Sequence, residues 1–295
     1  MAAQRSFTEY VKKRFDNNFW AASESYLETN LDSLGIELRR IRRAGETEIS
    51  DVKVEHVWVE DKPEMEIHFD VAVSIWFETH EGDYHYDDYD ENIVWMMAHC
   101  RGDLDKNLDD FKILNVAKYN GKSRVQNPMD DALVPVINKN QLDDAAEQFL
   151  HKHYKKALLE PMWLNPLELA KNMGLTVRYE NITKDGTVFG RSFFCDCQAD
   201  LYNPVADEMY QEHIPAGTIL VDKKTAFLSV LGSVNNTIVH ECVHWDKHKK
   251  AFALMRLYDN SHSNIGCKVI GDVAGNRRDS IDWMKWHANA LAPRI

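Results

Sequence analysis

The C-terminal half of the chain is organised around the stretch His240-Glu241-Cys242-Val243-His244. Residues four apart lie on one face of a helix, so both imidazoles can reach one metal ion. Glu241 follows the first histidine and projects close to that ion, where it can accept a proton from a water molecule. His240 and His244 are therefore the predicted zinc ligands, and Glu241 is the predicted catalytic base.

The residues around this stretch favour one continuous helix. Ser233 or Asn235 can cap its start, and residues 216–222 indicate a short buried strand before it. Residues 245–257 contain no glycine or proline that would end the helix early. A strand followed by such a helix is the setting expected of a zinc peptidase.

A further histidine, His248, follows one turn after the second predicted ligand. Each step of four residues rotates about 40° around a helix, so His248 is expected to support the site rather than to bind the metal. Lys247 and Lys250 stand where the longer metzincin pattern needs glycine and a third histidine. That pattern is therefore excluded.

A second informative run is Trp283-Met284-Lys285-Trp286-His287-Ala288-Asn289-Ala290-Leu291-Ala292-Pro293. This run, residues 240–248 and the order helix, strand, strand, strand, helix resemble the ImmA/IrrE family of zinc metallo-endopeptidases over about residues 140–295. The resemblance implies a zincin-like domain, a Zn²⁺ cofactor and cleavage of a regulatory protein, often a DNA-binding repressor. Family members usually extend some residues past the position of Ile295.

The same resemblance exposes a departure from the family pattern. The position of the third zinc ligand, a glutamate in the family, is taken by Lys285, and a protonated lysine has no lone pair to donate. Three readings stay open: a pseudo-peptidase with weakened or lost zinc, a nearby substitute ligand, or a site of two histidines and waters. Asp282, one turn before Lys285, is the predicted substitute, ahead of His287 and Asp279. Asn289 is implied to orient the ligand helix.

The N-terminal part shows two different hydrophobic periods. Residues 7–34 place an apolar side chain about every fourth position, which predicts an amphipathic helix. Residues 52–59 and 65–77 alternate apolar and polar side chains, which predicts an antiparallel hairpin with one buried face. The sequence therefore predicts an α+β fold, with an α+β domain over residues 1–138 and a metallopeptidase domain over residues 139–295. The N-terminal domain is expected to select a partner or to hold the peptidase in check.

Between the predicted strands, residues 81–91 are acidic and rich in tyrosine. They are expected to form a solvated loop, and a contact surface for a basic partner or a cation is the alternative.

The composition restricts the classes of function. The formal net charge of −12 disfavours direct nucleic-acid binding, which needs a basic surface. No run of about 18 apolar residues occurs, so no membrane span is expected. The N-terminal residues lack an apolar signal region, and the five cysteines favour reduced thiols. A cytoplasmic protein that acts on a protein or peptide is therefore expected.

Overall fold

The chain has two compact units in the computed structural model, which describes residues 6–30, 34, 47–83, 86–224, 231–258, 264–268 and 280–295. The units are Arg5–Ala132 and Leu133–Ile295, whereas the sequence placed the boundary after residue 138. Each unit combines helices with antiparallel strands, so the fold is α+β. Among the described residues, no helix is long and apolar enough to cross a membrane.

In the described residues of the N-terminal unit, two α-helices pack against a five-stranded antiparallel sheet with the strand order β4-β3-β2-β1-β5. Its elements are α1 (Phe7–Arg14), α2 (Asp16–Asn30), β1 (Thr47–Asp61), β2 (Glu66–Asp83), β3 (Tyr86–Asp103), β4 (Lys112–Lys118) and β5 (Pro128–Met129). The predicted hairpin is confirmed, because β1 pairs antiparallel with β2 over most of its length. Its buried face consists of Ile67, Phe69, Val71, Val73, Ile75 and Phe77.

The first helix is interrupted, contrary to the continuous helix predicted over residues 7–34. At Phe15 the backbone leaves the helical region, with φ −118° and ψ 17°. The Phe15 ring instead stacks on Phe111, with 3.9 Å between ring centroids. Phe15 is therefore not helical, and it separates α1 from α2.

The acidic segment 81–91 is not the loop that its composition indicated. Strands β2 and β3 stay paired along this segment as far as Asp83 and Tyr86. Cross-strand hydrogen bonds continue the ladder, and strand pairing overrides the low strand propensity of aspartate and glycine. Residues 84 and 85 lie outside the described part of the chain.

The described part of the C-terminal unit contains four α-helices, a four-stranded mixed sheet with the order β11-β7-β10-β6, and a separate hairpin of β8 and β9. Its elements are α3 (Leu142–His153), α4 (Pro166–Asn172), β6 (Thr176–Glu180), β7 (Val188–Phe193), β8 (Cys197–Asn203), β9 (Glu208–Ile214), β10 (Thr218–Asp222), α5 (Leu231–Tyr258), β11 (Asn264–Lys268) and α6 (Ser280–Leu291). The predicted strand over residues 216–222 is confirmed as β10.

Helix α5 is the central element of this unit. Residues 237–244 are all buried, so two turns of the helix have no solvent-exposed side. One side packs with α3, α4, α6 and β10 through residues such as Ile238 and Cys242. The predicted caps are wrong, because Ser233 and Asn235 lie inside α5, and the Ser233 carbonyl accepts a hydrogen bond from the Thr237 hydroxyl at 2.9 Å. The buried middle of α5 is the part that carries the H-E-x-x-H stretch.

Candidate metal centre

The two predicted ligands of α5 face each other. His240 and His244 lie one helical turn apart, and their Nε2 atoms are 3.1 Å from each other. Two nitrogens bound to one tetrahedral zinc at about 2.0–2.1 Å stand about 3.3–3.4 Å apart. The two nitrogens are therefore spaced nearly as a zinc site requires.

Two further histidines continue from this pair. Nδ1 of His244 lies 2.9 Å from Nδ1 of His248, and Nε2 of His248 lies 3.3 Å from Nδ1 of His287 on α6. The rings of His248 and His287 are nearly parallel, with an interplanar angle of 10° and 5.5 Å between their centroids. We call His240, His244, His248 and His287 the histidine row.

The histidine row is deeply buried, with 2% of His240 and His287 exposed and none of His244 and His248. Burial lowers the pKa of His240 to about 4 and that of His287 to about 4. Burial, followed by the neighbouring histidines, holds the pKa of His244 and of His248 well below the ordinary range. At neutral pH all four imidazoles are therefore uncharged, and each keeps a lone pair that can bind a metal.

Glu241 points from α5 toward strand β7. One carboxyl oxygen, Oε2, accepts a hydrogen bond from the Ser192 hydroxyl, and Oε1 is buried without a hydrogen-bond partner among the described residues. Burial raises the pKa of Glu241 to about 8, against the opposing effects of Ser192 and the Arg191 charge. A carboxyl group with a pKa near neutrality can both accept and return a proton.

A glycine in β7 makes room for this carboxylate. A Cβ atom at Gly190 would lie 2.7 Å from Cγ2 of Thr237 and 3.0 Å from Oε1 of Glu241.

Gly190→Ala is therefore expected to lower the free energy of unfolding by about 1–3 kcal/mol through overpacking, measured by denaturant unfolding. Gly232→Ala in α5 is the control, since its Cβ meets nothing within 4 Å and alanine favours a helix by up to about 1 kcal/mol. Equal stability of Gly190→Ala and the wild type would contradict the close approach of β7 to α5.

The buried donors fit a divalent cation in part. Two imidazole lone pairs are suitably spaced, and in the described part of the chain the adjacent Glu241 has one buried oxygen without a hydrogen-bond partner. Among the described residues, however, no group of three or more histidine, cysteine, aspartate and glutamate side chains is placed to hold a metal ion. A third protein ligand therefore needs a rearrangement of a described side chain or a residue outside the described ranges.

The candidates for that third ligand are all in or near α6. Asp282 lies partly buried in the first turn of α6, with no hydrogen bond to His240 or His244 among the described contacts, and its ligand role stays a prediction. Asp279 lies outside the described residues. His287 is the α6 residue that the structure brings to the histidine row.

The preference for Asp282 over His287 depends on how α6 is rotated. If Lys285 faces the metal, as the family pattern implies, His287 lies on the opposite side of the helix. In the structure the buried face of α6 consists of Met284, His287, Ala288 and Leu291. This i, i+3, i+4, i+7 spacing is visible in the sequence and would have identified His287.

Two other implied residues of α6 have different surroundings. Asn289, implied to orient the ligand helix, is solvent-exposed. Lys285 is partly buried, and its positive charge lowers the pKa of His244 after the larger effects of burial, His240 and His248. The ammonium group is therefore close enough to the H-E-x-x-H stretch to act on it electrostatically.

Ser192 is the contact that reasoning from the sequence missed. It lies in β7, and the spacing of residues along a strand says nothing about which helix residue the strand meets. The hydrogen bond to Glu241 joins positions 49 residues apart.

Comparisons with known proteins add little to this geometry. No family model matches the chain, and no curated protein matches it significantly. A solved structure described as an "Ntf2 like protein involved in plasmid conjugation" is similar at 9% sequence identity, covering 59% of this chain and 75% of that chain, with a TM-score of 0.19. A likeness this weak supports no statement about fold or function.

Proposed function

We propose that the protein is a zinc-dependent endopeptidase whose metal is held by His240 and His244 and whose catalytic base is Glu241. The observation that carries the proposal is the 3.1 Å separation of the two Nε2 atoms on one buried face of α5. The buried, unpartnered oxygen of the adjacent Glu241 supports it, because such an atom needs a proton or a cation. Asp282 is the proposed third ligand.

The chain's own residues would supply positioning and proton transfer. When bound, zinc polarises the scissile carbonyl and makes a water molecule acidic. Ser192 holds Glu241 Oε2, so that Oε1 remains the free acceptor for a proton. Glu241 would take the proton of the attacking water and return it to the leaving amine.

The proposed substrate is a regulatory protein, with a DNA-binding transcriptional repressor as the specific candidate, cleaved in the cytoplasm. The acidic net charge of −12 supports a basic protein partner rather than a nucleic acid. The N-terminal unit is the proposed site of partner selection, because the proposed chemistry belongs to the C-terminal unit alone.

A second function is favoured by one specific observation. The charge of Lys285 acts on His244, and a positive group beside the ligands opposes binding of a cation. In this alternative the chain is a pseudo-peptidase that has lost its chemistry and acts as a protein-binding regulatory module.

The zinc content of protein purified without added metal separates the two functions. Near one zinc ion per chain is expected for the peptidase, because a catalytic site holds its metal through three protein ligands. A zinc content near zero in the wild type, together with zinc binding by Lys285→Glu, would establish the pseudo-peptidase. Lys171→Glu, an exposed lysine of α4, is the control and should leave the zinc content unchanged.

A further inference from the structure

We infer that His248 and His287 are positioning residues, which hold the His244 ring in the orientation that zinc binding requires. The inference rests on the proposed zinc site at His240 and His244. It follows from three nitrogen contacts of 3.1, 2.9 and 3.3 Å that join four rings in sequence.

Zinc binding fixes the proton of His244. A neutral imidazole carries one N–H group and one lone pair, on different nitrogens. If the Nε2 atoms of His240 and His244 both give their lone pairs to zinc, the proton of His244 must be on Nδ1. Among the residues that the structure describes, only Nδ1 of His248 lies within hydrogen-bond distance of His244 Nδ1, at 2.9 Å.

The same reasoning extends along the histidine row. Because His248 accepts at Nδ1, its own proton must be on Nε2, which lies 3.3 Å from Nδ1 of His287. His287 therefore accepts at Nδ1. Zinc thus allows only one arrangement of donors and acceptors, whereas the metal-free row can also run in the opposite direction with a proton between His240 and His244.

Packing on α6 positions the His287 ring at the end of the histidine row. The His287 ring centroid lies 5.4 Å from that of Trp286 and 6.0 Å from that of Trp283. Ala288 and Leu291 join α6 to the same core as Cys242 of α5. Because His248 Nδ1 is the acceptor for His244, removal of the His248 ring would leave the His244 N–H without that acceptor inside a buried core.

The zinc dissociation constant, measured by chelator competition, tests His248. His248→Leu is expected to weaken zinc binding by about 10- to 100-fold, the usual effect of losing a group that orients a ligand. His248→Gln should recover most of the affinity, because its amide oxygen can accept from His244 and its amide nitrogen can donate to His287. His213→Ala, at an exposed position of β9, is the control and should bind as the wild type does.

A spectroscopic measurement on the wild type is independent of these variants. With ¹⁵N-labelled histidine, zinc is expected to shift His248 to the form with its proton on Nε2. Equal zinc affinity of His248→Leu and the wild type would overturn the positioning role and leave the zinc site intact. A His248 proton on Nδ1 in the zinc-bound protein would do the same. Failure of the wild type to bind zinc would overturn the zinc site and the positioning role together.

Discussion

Replacing Glu241 by glutamine is expected to lower the rate of peptide hydrolysis by about 100- to 10,000-fold while zinc stays bound. Glutamine keeps the shape of the side chain and can still accept the hydrogen bond from Ser192 through its amide oxygen. It cannot take a proton from water, so the proposed base is lost while the fold is kept. The measurement is cleavage of a mixed peptide library by zinc-loaded protein, read by mass spectrometry.

The matched control is Glu208→Gln, which makes the same chemical change at an exposed position in β9. Its cleavage rate and zinc content should equal those of the wild type. Undiminished hydrolysis by Glu241→Gln would refute the role of Glu241 as the base, even if zinc is present. Loss of zinc in this variant would instead assign Glu241 a part in metal binding.

Replacing Asp246 by asparagine is expected to lower the free energy of unfolding by about 3 kcal/mol at neutral pH. The Asp246 side chain, 3% exposed, lies 2.7 Å from Nε2 of His153, 2.8 Å from Nζ of Lys152 and 3.0 Å from Nζ of Lys247. Asparagine keeps one acceptor oxygen but loses the negative charge, and its NH2 group replaces the other oxygen next to these donors. Chemical denaturation of the two proteins measures the difference.

The same pair of proteins should differ less in acid. Burial opposes ionisation of Asp246, but the hydrogen bond from His153 and the charges of Lys247 and Lys152 outweigh it and hold the pKa well below its usual range. A depressed folded-state pKa stabilises the protein above the unfolded value of about 3.9, and this stability is lost as the pH falls through the folded value. The difference between the wild type and Asp246→Asn should therefore shrink below about pH 4.

An exposed ion pair provides the comparison for this prediction. Asp207 and Lys184 lie 2.6 Å apart with 62% and 66% of their side chains exposed. Asp207→Asn is expected to change the stability by less than about 1 kcal/mol, because water screens the pair. Equal effects of Asp246→Asn and Asp207→Asn would contradict the stabilising role of the buried carboxylate.

The main secondary structure of both units was predictable from local patterns. Alternation over residues 65–77 identified a strand with one buried face, and β2 has that face. The H-E-x-x-H spacing placed His240 and His244 on one side of a helix, and their Nε2 atoms meet there. Periods of two and of about 3.6 residues are properties of the local backbone, so they can be read without knowledge of the partners.

Other features depended on contacts between distant residues and escaped prediction. Residues 81–91 looked like a loop, but residues 81–83 and 86–91 pair in one ladder that extends β2 and β3. The helix over residues 7–34 looked continuous, but the Phe15 ring packs on Phe111 and interrupts it. In both cases, tertiary contacts outweighed the local preference of the chain.

The sequence by itself determined the pairing of two histidines and a glutamate on one helix, because helical geometry depends only on spacing along the chain. Only the tertiary structure decided that His287 meets His248 across 39 positions and that Ser192 meets Glu241 across 49. The first contact depends on how α6 is rotated against α5, which is set by the packing of Ala288 and Leu291 in the buried core. The second depends on how closely β7 approaches α5, which the missing Cβ of Gly190 allows.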